Sequence, residues 1–245
     1  MASPPLGLDP SDWALFLDID GTLLELQPRP EQVCTDDELT QLLHDLSDRL
    51  QGAVALISGR SITDIDRIFA PHEFSAAGGH GVEYRLAGEN IIIRQLPALP
   101  DATLRRGEAL VKNYTGVLLE RKRHGLAIHY RGAPEAKEDV FSWIQQECRR
   151  LGEAFSVLSG KMVYELVPAE IDKGAALQEL LSRDRFTNRK PIFIGDDVTD
   201  ESGFAVTNDH DGLSIYVGES EESVATQRLD NVLTVRKWLS QAFAQ

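Results

Sequence analysis

Four short apolar runs, each cut off by acids or glycine, constrain this chain more than any other feature. They occupy residues 13–17, 53–57, 192–194 and 213–217. They stop at Asp18-Ile19-Asp20-Gly21, Ser58-Gly59-Arg60, Gly195-Asp196-Asp197 and Gly218. A continuous apolar run of this length suits a strand buried on both faces, which is the habit of parallel sheets. Helical spacing fills the intervals: Leu39, Leu42, Leu43 and Leu46, then Ile62, Ile65 and Ile68. Ala175, Leu177, Leu180 and Leu181 mark a further helix, and Val235, Trp238, Leu239 and Phe243 the last. Strand, polar loop and helix in alternation predict an α/β protein with a doubly wound, Rossmann-like parallel sheet. Ligands of such sheets bind beyond the carboxyl ends of the strands, where all four runs place polar residues or glycine.

The middle of the chain has a different rhythm. Pro97 and Pro100 break the pattern, and a helix is expected over 101–114 with Asp101 as its cap. Residues 117–120 and 126–130 flank Arg123-His124-Gly125, a hairpin signal. Pro134 opens a helix with Val140, Phe141, Ile144 and Cys148 on its apolar face. A second hairpin is expected from 155–158 and 162–167, turning on Ser159-Gly160. Helix, hairpin, helix, hairpin reads as an inserted α+β cap at 97–168, within a core formed by 1–96 and 169–245.

Charge narrows the function. Lys and Arg number 25 and Asp and Glu 39, so the net charge is −14. Nucleic-acid and anionic-membrane binders need basic surfaces, and this balance argues against both. Any bound phosphate must be met by a local cation cluster or a metal. Two cysteines, Cys34 and Cys148, make no disulfide framework and suit a reducing compartment. With no basic-apolar leader and no long apolar span, the expectation is a cytoplasmic protein. The absence of a long apolar patch points to a monomer.

The chemistry-bearing residues sit where the runs stop. Residues two apart in an extended segment point the same way, so Asp18 and Asp20 are expected to converge. Gly21 lets the backbone turn beneath a ligand. A calcium loop of EF-hand type starts with similar spacing. However, it follows a helix and needs an acid at its twelfth position, which is Arg29 here. The second acidic group, Asp196-Asp197-Val198-Thr199-Asp200-Glu201, would repel itself: at 4 Å and an effective dielectric of 20, each carboxylate pair costs about 4 kcal/mol. Beside Asp18 and Asp20, such oxygens would suit Mg²⁺. Asp200 and Glu201 could also cap the following helix. Ser58-Gly59-Arg60 sets a hydroxyl at a helix start, a natural anion site. Lys173 opens a helix against the macrodipole preference, which hints at another purpose.

In these four pieces, taken in order, the chain resembles the haloacid dehalogenase superfamily of phosphatases. The resemblance implies that Asp18 is a nucleophile forming an aspartyl-phosphate and that Asp20 is the acid and base. It implies that Ser58 and Lys173 hold the phosphoryl oxygens. Mg²⁺ would bind the Asp18 carboxylate, the Asp20 carbonyl and Asp196, with Asp197 and Asp200 orienting metal waters or Lys173.

The inserted segment adds a polar set: Glu120, Lys122, His129 and Arg131 on the first hairpin, Lys161 and Glu165 on the second. Each of the pairs 120/122, 129/131 and 161/165 would share a strand face. Such a polar surface would suit sugar hydroxyls, but spacing alone favours a solvated sheet face with cross-strand salt bridges of little worth. Resemblance shifts the balance. Glu120-Arg121-Lys122, residues 126–131 and residues 160–168 are similar to cap motifs of the trehalose-6-phosphate phosphatase family, as are Gly79-His80-Gly81 and the second acidic group. The resemblance implies a phosphatase acting on a small sugar phosphate, trehalose 6-phosphate or a related ester such as sucrose 6-phosphate; with nothing like a synthase domain before Asp18, a stand-alone enzyme is expected. It implies disaccharide contacts from Glu120, Lys122, Arg131, Lys161 and Glu165. Gly59, Arg60 and Gly81 would line the substrate site, with His80 at the junction of core and cap. His129 serves equally well as a structural member of the hairpin.

Overall fold

In the computed structural model, residues 1–27, 29–219 and 222–243 are described, and the chain divides into two compact units. The first combines Met1–Ile93 with Asp172–Gln245, and the second is Arg94–Ile171. The first unit begins with β1 (Trp13–Leu17), α1 (Asp37–Arg49), β2 (Val54–Ile57), α2 (Ile62–Phe69) and β3 (Ser75–Gly78). Two short strands follow, β4 (Glu83–Arg85) and β5 (Ile92–Ile93). The second unit holds α3 (Asp101–Val111), β6 (Leu118–Arg121), β7 (Leu126–His129), α4 (Lys137–Leu151), β8 (Phe155–Gly160) and β9 (Val163–Pro168). The chain then returns to the first unit with α5 (Lys173–Leu181), β10 (Lys190–Gly195), α6 (Glu201–Asp209), β11 (Leu213–Val217), β12 (Gln227–Leu229) and α7 (Val232–Ala242).

The first unit is built on an eight-stranded sheet in the order β12-β11-β10-β1-β2-β3-β4-β5. From β12 to β3 every neighbour is parallel, and β4 and β5 add an antiparallel edge. The strand order reverses at β1. The step from β1 through α1 to β2 moves toward one edge, and that from β10 through α6 to β11 toward the other. Right-handed crossovers in opposite directions put their helices on opposite faces. Accordingly α1 packs with α7 and α6 with α5. Phe16, Phe193 and Phe204 are fully buried in this core. The crevice of such a sheet opens where the order reverses, between the carboxyl ends of β1 and β10.

Local chemistry sets the helix starts. Asp36, Ser61 and Asp172 accept from backbone N–H groups three residues on, which caps α1, α2 and α5. Asp101 departs from expectation. It is the first helical residue of α3 rather than its cap, and extended Pro100 precedes it. Its carboxylate in the first turn complements the helix dipole instead.

The second unit is a four-stranded antiparallel sheet, β6-β7-β9-β8. Leu126, Ile128, Tyr130, Phe155, Tyr164 and Leu166 share a core with Leu104 of α3 and Val140 and Ile144 of α4. The unit exceeds the expected 97–168 by three residues at each end, where Arg94 and Glu170 pair at 3.7 Å and tie its two connecting segments together. The second hairpin differs as well. β8 continues through Gly160, and the turn falls on Lys161 and Met162, with Met162 at φ 64. Lys161 therefore lies outside the strands and shares no strand face with Glu165.

Candidate active site

Register carries the first-unit residues to one end of the sheet. Leu17 pairs with Ile194 on one side and with Leu56 on the other. Asp18, Asp196 and Ser58 thus follow three adjacent strand tips. Asp18 N–H donates to the Ile194 carbonyl at 3.0 Å, which anchors the first of these tips to β10.

Four charged groups from distant parts of the chain are buried here: Asp18, Lys173, Asp196 and Asp200. Lys173 Nζ donates to Asp18 Oδ1 at 2.7 Å and to Asp200 Oδ1 at 2.6 Å. Asp200 Oδ2 accepts from the N–H groups of Asp196 and Asp197, each at 3.0 Å. Asp197 Oδ1 in turn accepts from Val198 N–H at 2.7 Å, so Asp197 and Asp200 form a capping box at this turn. Both roles weighed for Asp200, helix-start cap and partner of Lys173, coexist.

Two of the three carboxylates, Asp18 and Asp200, share one ammonium. Burial alone would depress the Lys173 pKa, but Asp18 and Asp200 outweigh it and raise the pKa above the usual lysine range. Burial pushes Asp18 well above the usual carboxylate range; Asp200 and Asp196 add to this, while Lys173 opposes it. Oxygens of Asp18, Asp196 and Asp200 lie within 4.8 Å of one another. Thr22, buried, places its hydroxyl 3.5 Å from Asp18 Oδ2 and 3.4 Å from Asp196 Oδ1. Thr22 had no role assigned from sequence, although it follows directly on the Asp18-Ile19-Asp20-Gly21 segment.

An all-oxygen, buried and net-negative set fits a hard divalent cation. Gly21 bears on the same fit. At φ +88, a Cβ there would stand 2.1 Å from Asp196 Oδ2 and fill the space over that carboxylate. Asp200 commits both oxygens within the protein, so Asp18 and Asp196 are the better donors.

Asp20 does not join this group through its side chain. Arg60 holds its carboxylate with two donors, Nε at 2.6 Å and a terminal nitrogen at 2.7 Å, and its other terminal nitrogen reaches Asp64 at 2.6 Å. Asp64 lies four residues beyond Arg60, a helical spacing at which such pairs form. Ser58 is buried and its Oγ accepts from Arg60 N–H at 3.2 Å. His80 N–H donates to the Ser58 carbonyl at 2.9 Å, and His80 itself adopts φ 57. Gly59 makes room for that ring, since a Cβ there would meet Nε2 at 2.6 Å. Gly81, at φ +108, approaches Ala176 near the start of α5.

The second unit carries its own polar face. Alternation along the strands puts Glu120, Ala127 and Glu165 in one cross-strand row. Lys122 Nζ contacts Glu165 Oε2 at 2.5 Å, and the His129 Nε2 atom lies 2.9 Å from Glu120 Oε2. Burial alone would raise Glu120, yet the His129 hydrogen bond and the Lys122 charge hold it below the usual carboxylate range. Arg131 donates to the Lys161 carbonyl at 3.4 Å.

The parallel sheet with acids and a lysine at its switch point has the fold of the HAD-superfamily phosphatases. One of these, BT1666 from Bacteroides thetaiotaomicron, matches with a TM-score of 0.61 and 17% identity, over 94% of this chain and 93% of that one. A family model described as trehalose-phosphatase matches residues 16–232. Trehalose-6-phosphate phosphatase of Escherichia coli strain K12 is 38% identical over 232 residues, 93% of this chain and 85% of its own length. A solved trehalose-6-phosphate phosphatase related protein is 29% identical, with a TM-score of 0.74, and the match covers 92% of this chain and 95% of that one. The chain belongs to the trehalose-phosphatase family and is a phosphatase. Among the described residues, no helix is long and apolar enough to cross a membrane.

Proposed function

We propose that the protein hydrolyses trehalose 6-phosphate to trehalose and phosphate, with Asp18 as nucleophile and Mg²⁺ as cofactor. One observation supports the reading above the rest: within a family of phosphatases, a buried carboxylate at the switch point is held by a buried lysine, next to a second carboxylate that can share a cation.

In the first step an Asp18 oxygen attacks phosphorus and the bond from phosphorus to the sugar oxygen breaks. Asp20 gives the leaving oxygen its proton. In the second step water attacks the phosphorus of the aspartyl-phosphate and Asp20 takes the water's proton. The bond to Asp18 then breaks and phosphate leaves. The Arg60 pair positions Asp20 and has to part for the protonated form to act. Lys173 and Ser58 hold phosphoryl oxygens. The Asp18 carboxylate, the Asp20 main-chain carbonyl and Asp196 would hold Mg²⁺, which would supply positive charge to those oxygens.

The inserted unit selects the sugar through Glu120, Lys122, Arg131, Lys161 and Glu165, and Gly59, Arg60, His80 and Gly81 of the first unit contribute to substrate binding. Alternating donors and acceptors suit a disaccharide's hydroxyls. Binding energy from the distal sugar then positions the phosphate. The chain acts as a cytoplasmic monomer. The test is phosphate release from trehalose 6-phosphate, sucrose 6-phosphate, glucose 6-phosphate and mannose 6-phosphate, with Mg²⁺ and with EDTA. Fastest release from trehalose 6-phosphate, abolished by EDTA, supports the reading. A preference for another ester, or full activity in EDTA, overturns it.

A further inference from the structure

The ion pair between Lys122 and Glu165 has an unusual route. Lys122 follows β6 and Glu165 lies on β9, yet these strands are not neighbours, because β7 runs between them. Neighbouring strands are about 4.8 Å apart, so the pair bridges about 10 Å of sheet. It does so at 2.5 Å between charged atoms. The bridge must pass over β7. On that face lie Ala127 and His129 of β7 and, just before the strand, Gly125, since Ala127 pairs with Glu120 on one side and Glu165 on the other. Leu126 and Ile128 point to the opposite face, into the apolar core, where Ala127 has no place. Ala127 is fully buried. Between Lys122 and Glu165 this face thus carries only small residues, Ala127 on β7 and Gly125 just before it. Gly125 has a separate reason to be small, because a Cβ there would meet the Leu166 carbonyl at 2.2 Å.

We propose that Ala127 is a positioning residue for sugar selectivity. Its small side chain lets Lys122 reach Glu165 across β7, and this sets the two groups in the orientation that meets the sugar hydroxyls. It acts through that pair and touches no substrate. The inference rests on the reading of this face as the sugar-binding surface. Side-chain volume, rather than polarity, is the property that matters.

The experiment compares Ala127→Ser, Ala127→Val and Ala127→Leu, each alone and in a Lys122→Ala background. Substrates are trehalose 6-phosphate and p-nitrophenyl phosphate, and the latter also reports folding. Loss of a charged hydrogen bond predicts a fall of about 10- to 100-fold in kcat/KM for the sugar phosphate with the larger residues. The Ser variant should stay within about threefold of the parent, a span of well under 1 kcal/mol. In the Lys122→Ala background, added bulk should cost nothing further, because the pair it disrupts is already gone. Equal losses on both substrates, or additive losses in the double variants, overturn the proposal. So does an unchanged preference in Ala127→Leu. A parent enzyme that hydrolyses p-nitrophenyl phosphate but not trehalose 6-phosphate would instead overturn the proposed function.

Discussion

Replacing Lys173 with methionine removes the ammonium that two buried carboxylates share, at almost constant side-chain length. The oxygens of Asp18, Asp196 and Asp200 lie within 4.8 Å of one another. At that distance and an effective dielectric of 20, each ionised pair repels by at least about 3.5 kcal/mol. Protonation and small shifts relieve part of this. Breaking a buried pair by deleting one partner typically costs about 3–5 kcal/mol. A domain's whole margin is about 5–15 kcal/mol, so the variant should be visibly weakened. The loss should depend on pH with a definite sign. Burial, then Asp200 and Asp196, hold the Asp18 pKa up, and Lys173 pulls it down. A carboxyl whose folded pKa is raised stabilises fully below its unfolded value, about 4, and that contribution fades as pH rises through the folded value. Without Lys173 the folded value rises further, so the variant loses more over the same window. Urea unfolding in EDTA should therefore show a deficit that is large at about pH 7.5 and smaller at about pH 5. Mg²⁺ should return part of it. A variant as stable as the parent at the higher pH, or a deficit that ignores pH, would refute the electrostatic reasoning.

Glu165→Ala removes the acceptor of the Lys122 bridge and should cut turnover of trehalose 6-phosphate far more than that of p-nitrophenyl phosphate, with steady-state kinetics on both as the check. Gly21→Ala forces a Cβ to 2.1 Å from Asp196 Oδ2 at φ +88. It should cost at least about 1–2 kcal/mol from the left-handed backbone alone and abolish most phosphate release, measured by thermal melting and by product assay.

What the sequence discloses follows from where the energy is local. Residues 13–17 and 192–194 are legible as strands because burial on both faces leaves a continuous apolar run, and their tips name Asp18 and Asp196. The antiparallel edge is not legible. Glu83–Arg85 holds buried charge, with Arg85 paired to Asp66 and Glu83 accepting from Ile62 N–H. Tertiary partners 19 and 21 residues away override the apolar pattern there. Ser75–Gly78 and Gln227–Leu229 are likewise strands by pairing rather than by composition. Ser159-Gly160 has turn chemistry, yet both residues pair with β9, and the left-handed position falls to Met162. At the site, alternation brings Asp18 and Asp20 to one strand tip, but long-range partners part them: Lys173 takes Asp18 and Arg60 takes Asp20. No spacing rule within residues 18–23 contains that choice.

The central claim is that Asp18 carries the phosphoryl group during turnover. The most direct test is to acid-quench the enzyme within a single turnover of trehalose 6-phosphate and map the modified peptide by mass spectrometry. The account predicts one phosphoryl group on the peptide bearing Asp18, absent in Asp18→Asn. Turnover with no labelled peptide at any quench time, or a label on a different residue, would contradict it.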